Sequence, residues 1–133
     1  MVGISKILIV DDSAVARKIL RSCIPKGKIF EFHEAEDGLA GVRKFEEVRP
    51  DLTFLDLTMP VMDGLSALAK IKEIDGEALV VVSSADVQKK TVQKAMELGA
   101  FKVLNKPPNK ESIGQTLVAA QKWLTGQDGR RGS

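Results

Sequence analysis

Apolar positions along this chain change their spacing repeatedly. Short apolar runs at residues 7–10, 29–32, 52–55, 79–82 and 103–104 are bounded by charge, glycine or proline, and several are rich in Val, Ile or Phe. That is the pattern of strands. The run Leu79-Val80-Val81-Val82 is apolar at every position rather than alternating, which suits a strand covered on both faces. Between the runs the period lengthens to that of a helix. Ala16, Ile19, Leu20, Cys23 and Ile24 fall at i, i+3, i+4, i+7 and i+8, with Ser13 upstream as the N-cap. Leu39, Val42 and Phe45 mark a second helix ending before Pro50, and Leu65, Leu68 and Ile71 a third after Gly64. Val92, Ala95 and Met96 mark a fourth, with Gly99 where a C-terminal glycine belongs. Ile113, Leu117, Ala120 and Leu124 give the fifth. Alternating β–α units of this kind predict an α/β fold, a five-stranded parallel sheet with five helices on both faces, because parallel strands need crossover connections.

Composition narrows the class without choosing a function. At 133 residues the chain is expected to form one domain over 1–125, large enough for one core. No apolar run approaches the ~20 residues of a membrane-spanning helix, and the start of the chain lacks the layout of a secretory signal. The lone Cys23 cannot form an internal disulfide, so the cytoplasm is the expected compartment. A net charge of +2 is too small for a nucleic-acid footprint, and part of it comes from Arg130 and Arg131. Residues 126–133 have no apolar anchor and read as a disordered tail or a remnant of expression.

A sheet of this kind places its functional crevice at the carboxyl ends of its strands, next to the switch in strand order. The residues there are chemically unusual. The first strand ends in Asp11-Asp12, the third in Asp56, the fourth in Ser83-Ser84 and the fifth in Lys106-Pro107. Two unit charges ~4 Å apart at an effective dielectric of ~20 repel by about 4 kcal/mol, so converging carboxylates need cations. Lys106 supplies one. The remainder asks for a divalent ion with hard oxygen ligands, and Mg²⁺ favours a few carboxylates plus waters and a phosphate oxygen. Such a site can accept a phosphoryl group: metal and ammonium neutralise it, a hydroxyl reaches a third oxygen, and a carboxylate attacks.

The segments Val10-Asp11-Asp12, Asp56-Leu57-Thr58-Met59-Pro60, Met62-Asp63-Gly64, Ser84-Ala85, Leu98-Gly99-Ala100 and Asn105-Lys106-Pro107 resemble the receiver domains of two-component response regulators. The resemblance runs from about residue 6 to residue 124, and its pieces fall in order on the expected strand ends. It implies the flavodoxin-like, CheY-like strand order 2-1-3-4-5. It also implies that Asp56 is the phosphoacceptor, receiving its phosphoryl group from the phosphohistidine of a sensor histidine kinase or phosphotransfer protein. Asp12 and Asp56 would bind Mg²⁺ directly, Asp11 mostly through water, and the Thr58 backbone carbonyl would complete the protein ligands. Ser84 and Lys106 would each pair with a phosphoryl oxygen, and the Lys106–Pro107 bond is expected to be cis. Ser84 is preferred to Ser83 because of its distance from Lys106 and the small Ala85 that follows; Ser83 reads as a backbone-bonded turn hydroxyl. Thr58 and Asp86 occupy positions that flank the path of an attacking water.

The chain departs from the family at Val103, where an aromatic residue is common. Phe101, two positions away, is expected to share that face of the strand. Readout is therefore expected from the loop after the fourth strand and from the fourth helix. Outside the crevice, His33 reads as structural or exposed, Cys23 as core and Trp123 as a packing anchor. Met59 and Met62 are either loop cover or a docking surface. With no effector domain after the fifth helix, output is expected through a downstream effector protein or phosphate relay, without nucleic acid or membrane, by a monomer or phosphorylation-dependent dimer. The competing reading is a Mg²⁺-dependent aspartate-nucleophile phosphatase. That chemistry wants a second acid–base carboxylate just after the nucleophile, where Thr58 stands, and a cap for which no insertion is long enough.

Overall fold

A computed structural model describes residues 3–26, 29–59, 61–85 and 88–126. The elements alternate as β1 (Lys6–Val10), α1 (Ala14–Cys23), β2 (Glu31–Ala35), α2 (Gly38–Val48), β3 (Leu52–Asp56), α3 (Gly64–Ile74), β4 (Val80–Ser84), α4 (Lys89–Glu97), β5 (Lys102–Asn105) and α5 (Lys110–Leu124). All pairings are parallel, in the order β2-β1-β3-β4-β5, as the resemblance implied. Side chains alternate across the sheet and feed two cores. Ile7, Ile9, Phe54 and Val81 pack beneath α1 and α5, against Leu20, Ile113, Leu117 and Leu124. Leu8, Val10, Leu55, Val80 and Val82 pack beneath α2, α3 and α4, against Val42, Phe45, Leu68, Ile71 and Ala95. Val80, Val81 and Val82 are fully buried, so the unbroken apolar run does mark a strand covered on both faces.

Helix starts follow local chemistry. Ser13, Asp37, Asp63 and Asn109 each accept a backbone N–H of the first turn of α1, α2, α3 and α5, a cap worth about 1 kcal/mol. Gln88, at the start of α4, makes no such bond, and α4 buries only Ala95. Gly99 ends that helix region with φ at +101°, the left-handed geometry that favours glycine.

Three expectations need correction. The second strand is Glu31–Ala35 rather than residues 29–32, and Ile29 is 99% exposed. β2 is an edge strand whose register begins with Glu31 opposite Lys6 and the Glu31 N–H donating to the Ser5 carbonyl at 2.7 Å. With one side open to solvent it carries Glu31, His33 and Glu34, so an apolar run misplaces it. Ile19 and Met96, assigned to apolar helix faces, are 41% and 48% exposed, because the buried stripes of α1 and α4 are narrower than their periodicity suggests. Phe101 does not share a face with Val103. It precedes β5, escapes the strand's alternation, and packs edge-on to Trp123 with ring centroids 6.2 Å apart on the α1/α5 side, whereas Val103 packs on the α4 side. The reading of 126–133 as a tail falls, except for Gly126, outside the described residues.

Thr53, fully buried in β3, has a hydroxyl with no hydrogen-bond partner among the described residues. An unsatisfied buried hydroxyl costs about 1–3 kcal/mol. Thr53→Val keeps the β-branched shape and should stabilise the protein by about that amount, read as a higher urea midpoint at unchanged m-value. An unchanged or lower midpoint would contradict it.

Candidate functional site

β1 and β3 are parallel neighbours with Val10 opposite Leu55, so whatever follows each strand emerges on the same edge. Asp11 follows β1 and Asp56 ends β3. One carboxylate oxygen from each of Asp11, Asp12 and Asp56 lies within 4.8 Å of the others. Asp11 and Asp56 are each 5% exposed, while Asp12 opens to solvent. The convergence expected from the strand ends is present.

Asp11 is held at every polar atom. Its N–H donates to the Ala35 carbonyl at 3.1 Å, and its carbonyl accepts from Arg17 Nη1 at 2.6 Å. Its Oδ1 accepts the Ser13 N–H at 2.9 Å and its Oδ2 accepts from Lys106 Nζ at 2.7 Å. The same ammonium stands 3.4 Å from Asp56 Oδ1. Lys106 follows β5 and is anchored by its own N–H donating to the Ser84 carbonyl at 2.9 Å. The Lys106–Pro107 bond is cis, as the resemblance implied.

Burial pushes the Asp56 carboxyl above its usual range, and the neighbouring Asp11 charge adds to the effect. Lys106 and the Thr58 N–H offset only part of it. For Lys106, burial pulls the pKa down. The hydrogen bond from Lys106 to Asp11 and the charges of Asp56 and Asp11 outweigh that, so its pKa is raised and it remains an ammonium.

Ser84, the last residue of β4, is buried, and by alternation it shares the face of Val80 and Val82. Ser83 lies within β4 rather than in a turn; it pairs in register with Asp56, and its carbonyl accepts the Leu57 N–H at 3.0 Å. Thr58 is exposed beside the site, and Asp86 lies outside the described residues. Met59 and Met62 pack, half-buried, against the α2/α3/α4 core, as loop cover would. His33 sits in β2 with Nε2 2.6 Å from Glu31 Oε2, remote from the carboxylates. Cys23 is buried in the α1/α5 core.

Two contributions escaped sequence reasoning. A Cβ on Gly64 would lie 2.4 Å from both the Asp56 carbonyl oxygen and Leu57 Cα, so only glycine lets α3 begin directly against the Asp56 backbone. Arg17 also donates Nε to Glu34 Oε1 at 2.7 Å, and Arg21 Nη1 reaches Glu34 Oε2 at 2.9 Å. The i, i+4 spacing of Arg17 and Arg21 on one side of α1 was a visible signal for an acidic partner.

The raised Asp56 pKa has a consequence for stability. The folded carboxyl holds its proton more tightly than the unfolded one, whose reference is 3.8, so ionised Asp56 destabilises the metal-free fold. That cost is fully present above the folded pKa and disappears as pH falls through it toward the unfolded value. Asp56→Asn should therefore melt higher than wild type at neutral pH in chelator, with the gap closing on acidification. A mutant less stable at neutral pH would contradict this.

The family model of the response regulator receiver domain matches residues 7–118. The chain is 39% identical over 117 residues to chemotaxis protein CheY of Listeria monocytogenes, spanning 88% of this chain and 98% of that protein. It is 41% identical over 116 residues to CheY of Bacillus subtilis, spanning 84% and 97%. Among solved structures, the CheX–CheY–BeF3–Mg²⁺ complex from Borrelia burgdorferi superposes with a TM-score of 0.82 at 31% identity, covering 86% of this chain and 87% of that one. A methylesterase/glutaminase of Koribacter versatilis is 39% identical over 116 residues but only 32% of its length is matched, so the same unit also occurs within longer enzymes. Sequence, strand order and relatives agree: the chain belongs to the response regulator receiver family of two-component signalling, in its CheY-like form.

Proposed function

We propose that Asp56 is the residue phosphorylated in this receiver, at a site that also binds Mg²⁺ through Asp11, Asp12, Asp56 and the Thr58 carbonyl. The observation that carries the reading is the convergence of three carboxylates within 4.8 Å around one ammonium. Those hard oxygen donors suit Mg²⁺, which when bound would neutralise the charge of an incoming phosphoryl group. Both Asp11 oxygens already accept hydrogen bonds, which supports a contact through water for Asp11 and a direct one for Asp12, whose carboxylate is exposed and makes no hydrogen bond among the described residues. Asp56 attacks phosphorus as the P–N bond of a phosphohistidine breaks, and the imidazole departs with the electron pair. Lys106 and the Ser84 hydroxyl then each take a phosphoryl oxygen. For Lys106 this means exchanging part of its contact with Asp11 for the new anion.

The receiver unit is read as residues 1–125, catalysing only its own phosphorylation and dephosphorylation and signalling by binding another protein. Three features support α4 as the output element: no side-chain cap, a single buried residue, and Val103 where an aromatic ring would otherwise move.

Incubation with acetyl phosphate and Mg²⁺ should give a stoichiometric, base-labile adduct on Asp56, absent in Asp56→Asn. A phosphorylated mutant, or sustained turnover of many phosphate esters, would count against the receiver reading. Phosphorylation should also shift the amide resonances of Val103 and α4. Lys106→Ala should still bind Mg²⁺ but lose most of those shifts; a full response in that mutant would remove Lys106 from the coupling.

A further inference from the structure

We propose that Arg17 is a positioning residue for the metal centre: by holding the Asp11 carbonyl it fixes the Asp11–Asp12 peptide and so aims the Asp12 carboxylate. The inference rests on the proposed metal site. Asp12 is exposed and makes no hydrogen bond or ion pair among the described residues, so its own side chain does nothing to place it. Its direction comes from its backbone. On one side Asp11 is pinned; on the other, Ser13 is committed to capping α1 and to donating its N–H to Asp11 Oδ1. The Asp11 carbonyl belongs to the intervening Asp11–Asp12 peptide, and Arg17 Nη1 holds it at 2.6 Å.

Arg17 is itself held. Its side chain is 15% exposed, and its planar guanidinium spans two acceptors at once, with Nε on Glu34 Oε1 at 2.7 Å. A rigid fork of donors transmits position in a way a flexible ammonium cannot. Glu34 is fixed from the far side by Arg21 at 2.9 Å, whose guanidinium lies 4.4 Å from the Phe32 ring centroid. Glu34 is also tied to the sheet, opposite Ile9. Burial raises the Glu34 pKa, but the hydrogen bonds from Arg17 and Arg21 more than reverse this, so Glu34 stays ionised and the clasp stays closed at neutral pH. A clasp serving only to join α1 to β2 would be complete with Glu34 and the two arginines. The additional bond to the carbonyl between two acids of the site is what assigns Arg17 its role.

The test compares wild type, Arg17→Ala, Arg17→Lys and Arg21→Ala in two measurements: Mg²⁺ affinity by titration calorimetry, and the Asp11 carbonyl ¹³C shift in metal-free protein. Loss of a group that orients a metal ligand typically weakens metal binding about 10–100-fold, and Arg17→Ala should lose at least about tenfold and move the Asp11 carbonyl resonance. Arg21→Ala opens the same helix–sheet clasp but leaves the carbonyl held, so it should keep that resonance and bind Mg²⁺ within about twofold of wild type. Arg17→Lys retains one donor and should fall between, and it carries the comparison should Arg17→Ala fail to fold. Wild-type affinity in a folded Arg17 variant, or an equal loss in Arg21→Ala, would overturn the proposal. Failure of the wild type to bind Mg²⁺ would instead overturn the metal site on which it rests.

Discussion

Two buried carboxylates, Asp11 and Asp56, share a single ammonium, with Lys106 Nζ 2.7 Å from one and 3.4 Å from the other. Carboxylates a few ångströms apart repel by about 4 kcal/mol at an effective dielectric of ~20, and burial removes the water that would otherwise weaken that repulsion. The sum is unbalanced: Asp11, Asp12 and Asp56 carry three negative charges and Lys106 one positive, leaving two negative charges at one sheet edge. A dication cancels that remainder, which is why the arrangement favours a metal of hard-oxygen preference over a second lysine. Burial, with the Asp11 charge adding to it, likewise holds the Asp56 carboxyl above its usual range.

The scaffold has little freedom to relieve this repulsion by moving the acids apart. β3 is buried along its whole length, from Leu52 to Asp56, and is clamped between β1 and β4 by parallel ladders. Asp56 is itself paired with Ser83 of β4, so its backbone cannot withdraw without breaking that pairing. Behind it, α3 begins at Gly64 in direct contact with the Asp56 backbone, fixed by the Asp63 cap. Asp11 is equally committed through Ala35, Ser13 and Arg17. The sheet holds unfavourable charges in place with favourable interactions on both sides, as local strain at a functional site requires.

What the sequence made legible is the part encoded in consecutive residues. Asp11-Asp12, Asp56 and Lys106 each close an apolar run, so naming the run names the edge on which they meet. Ser13 was likewise readable as a cap, because a cap lies within three residues of the N–H it satisfies. The failures share a physical origin in tertiary context. β2 was misplaced because an edge strand needs no continuous apolar run. Phe101 was placed on the wrong face because the alternation rule applies only inside a strand, and it sits one residue before β5. Arg17 and Glu34 are 17 positions apart, and only the pairing of β2 with β1 brings the acid beneath the helix. Gly64 marks a helix start in the sequence, but its closeness to Asp56 depends on how α3 returns to the sheet.

The molecule divides its anchoring unevenly, and the division follows chemistry. Four helices, α1, α2, α3 and α5, have side-chain caps, whereas α4 has none and rests on Ala95. α4 lies immediately downstream of Ser84, the hydroxyl proposed to follow the phosphoryl group. On the proposed reading, a signal entering at Ser84 would meet a helix with no side-chain cap and one buried residue, at a place where Val103 is too small to block or signal movement as a ring would. Phe101 cannot take over that task, because its contact with Trp123 holds it in the opposite layer of the sheet. Local unfolding free energy is lowest where buried contacts are fewest, and motion driven by a modest chemical change is expected to appear there first. On the proposed reading, the fixed carboxylate edge and the uncapped α4 would be complementary halves of one device: one holds the charge in place, and the other would yield to its neutralisation.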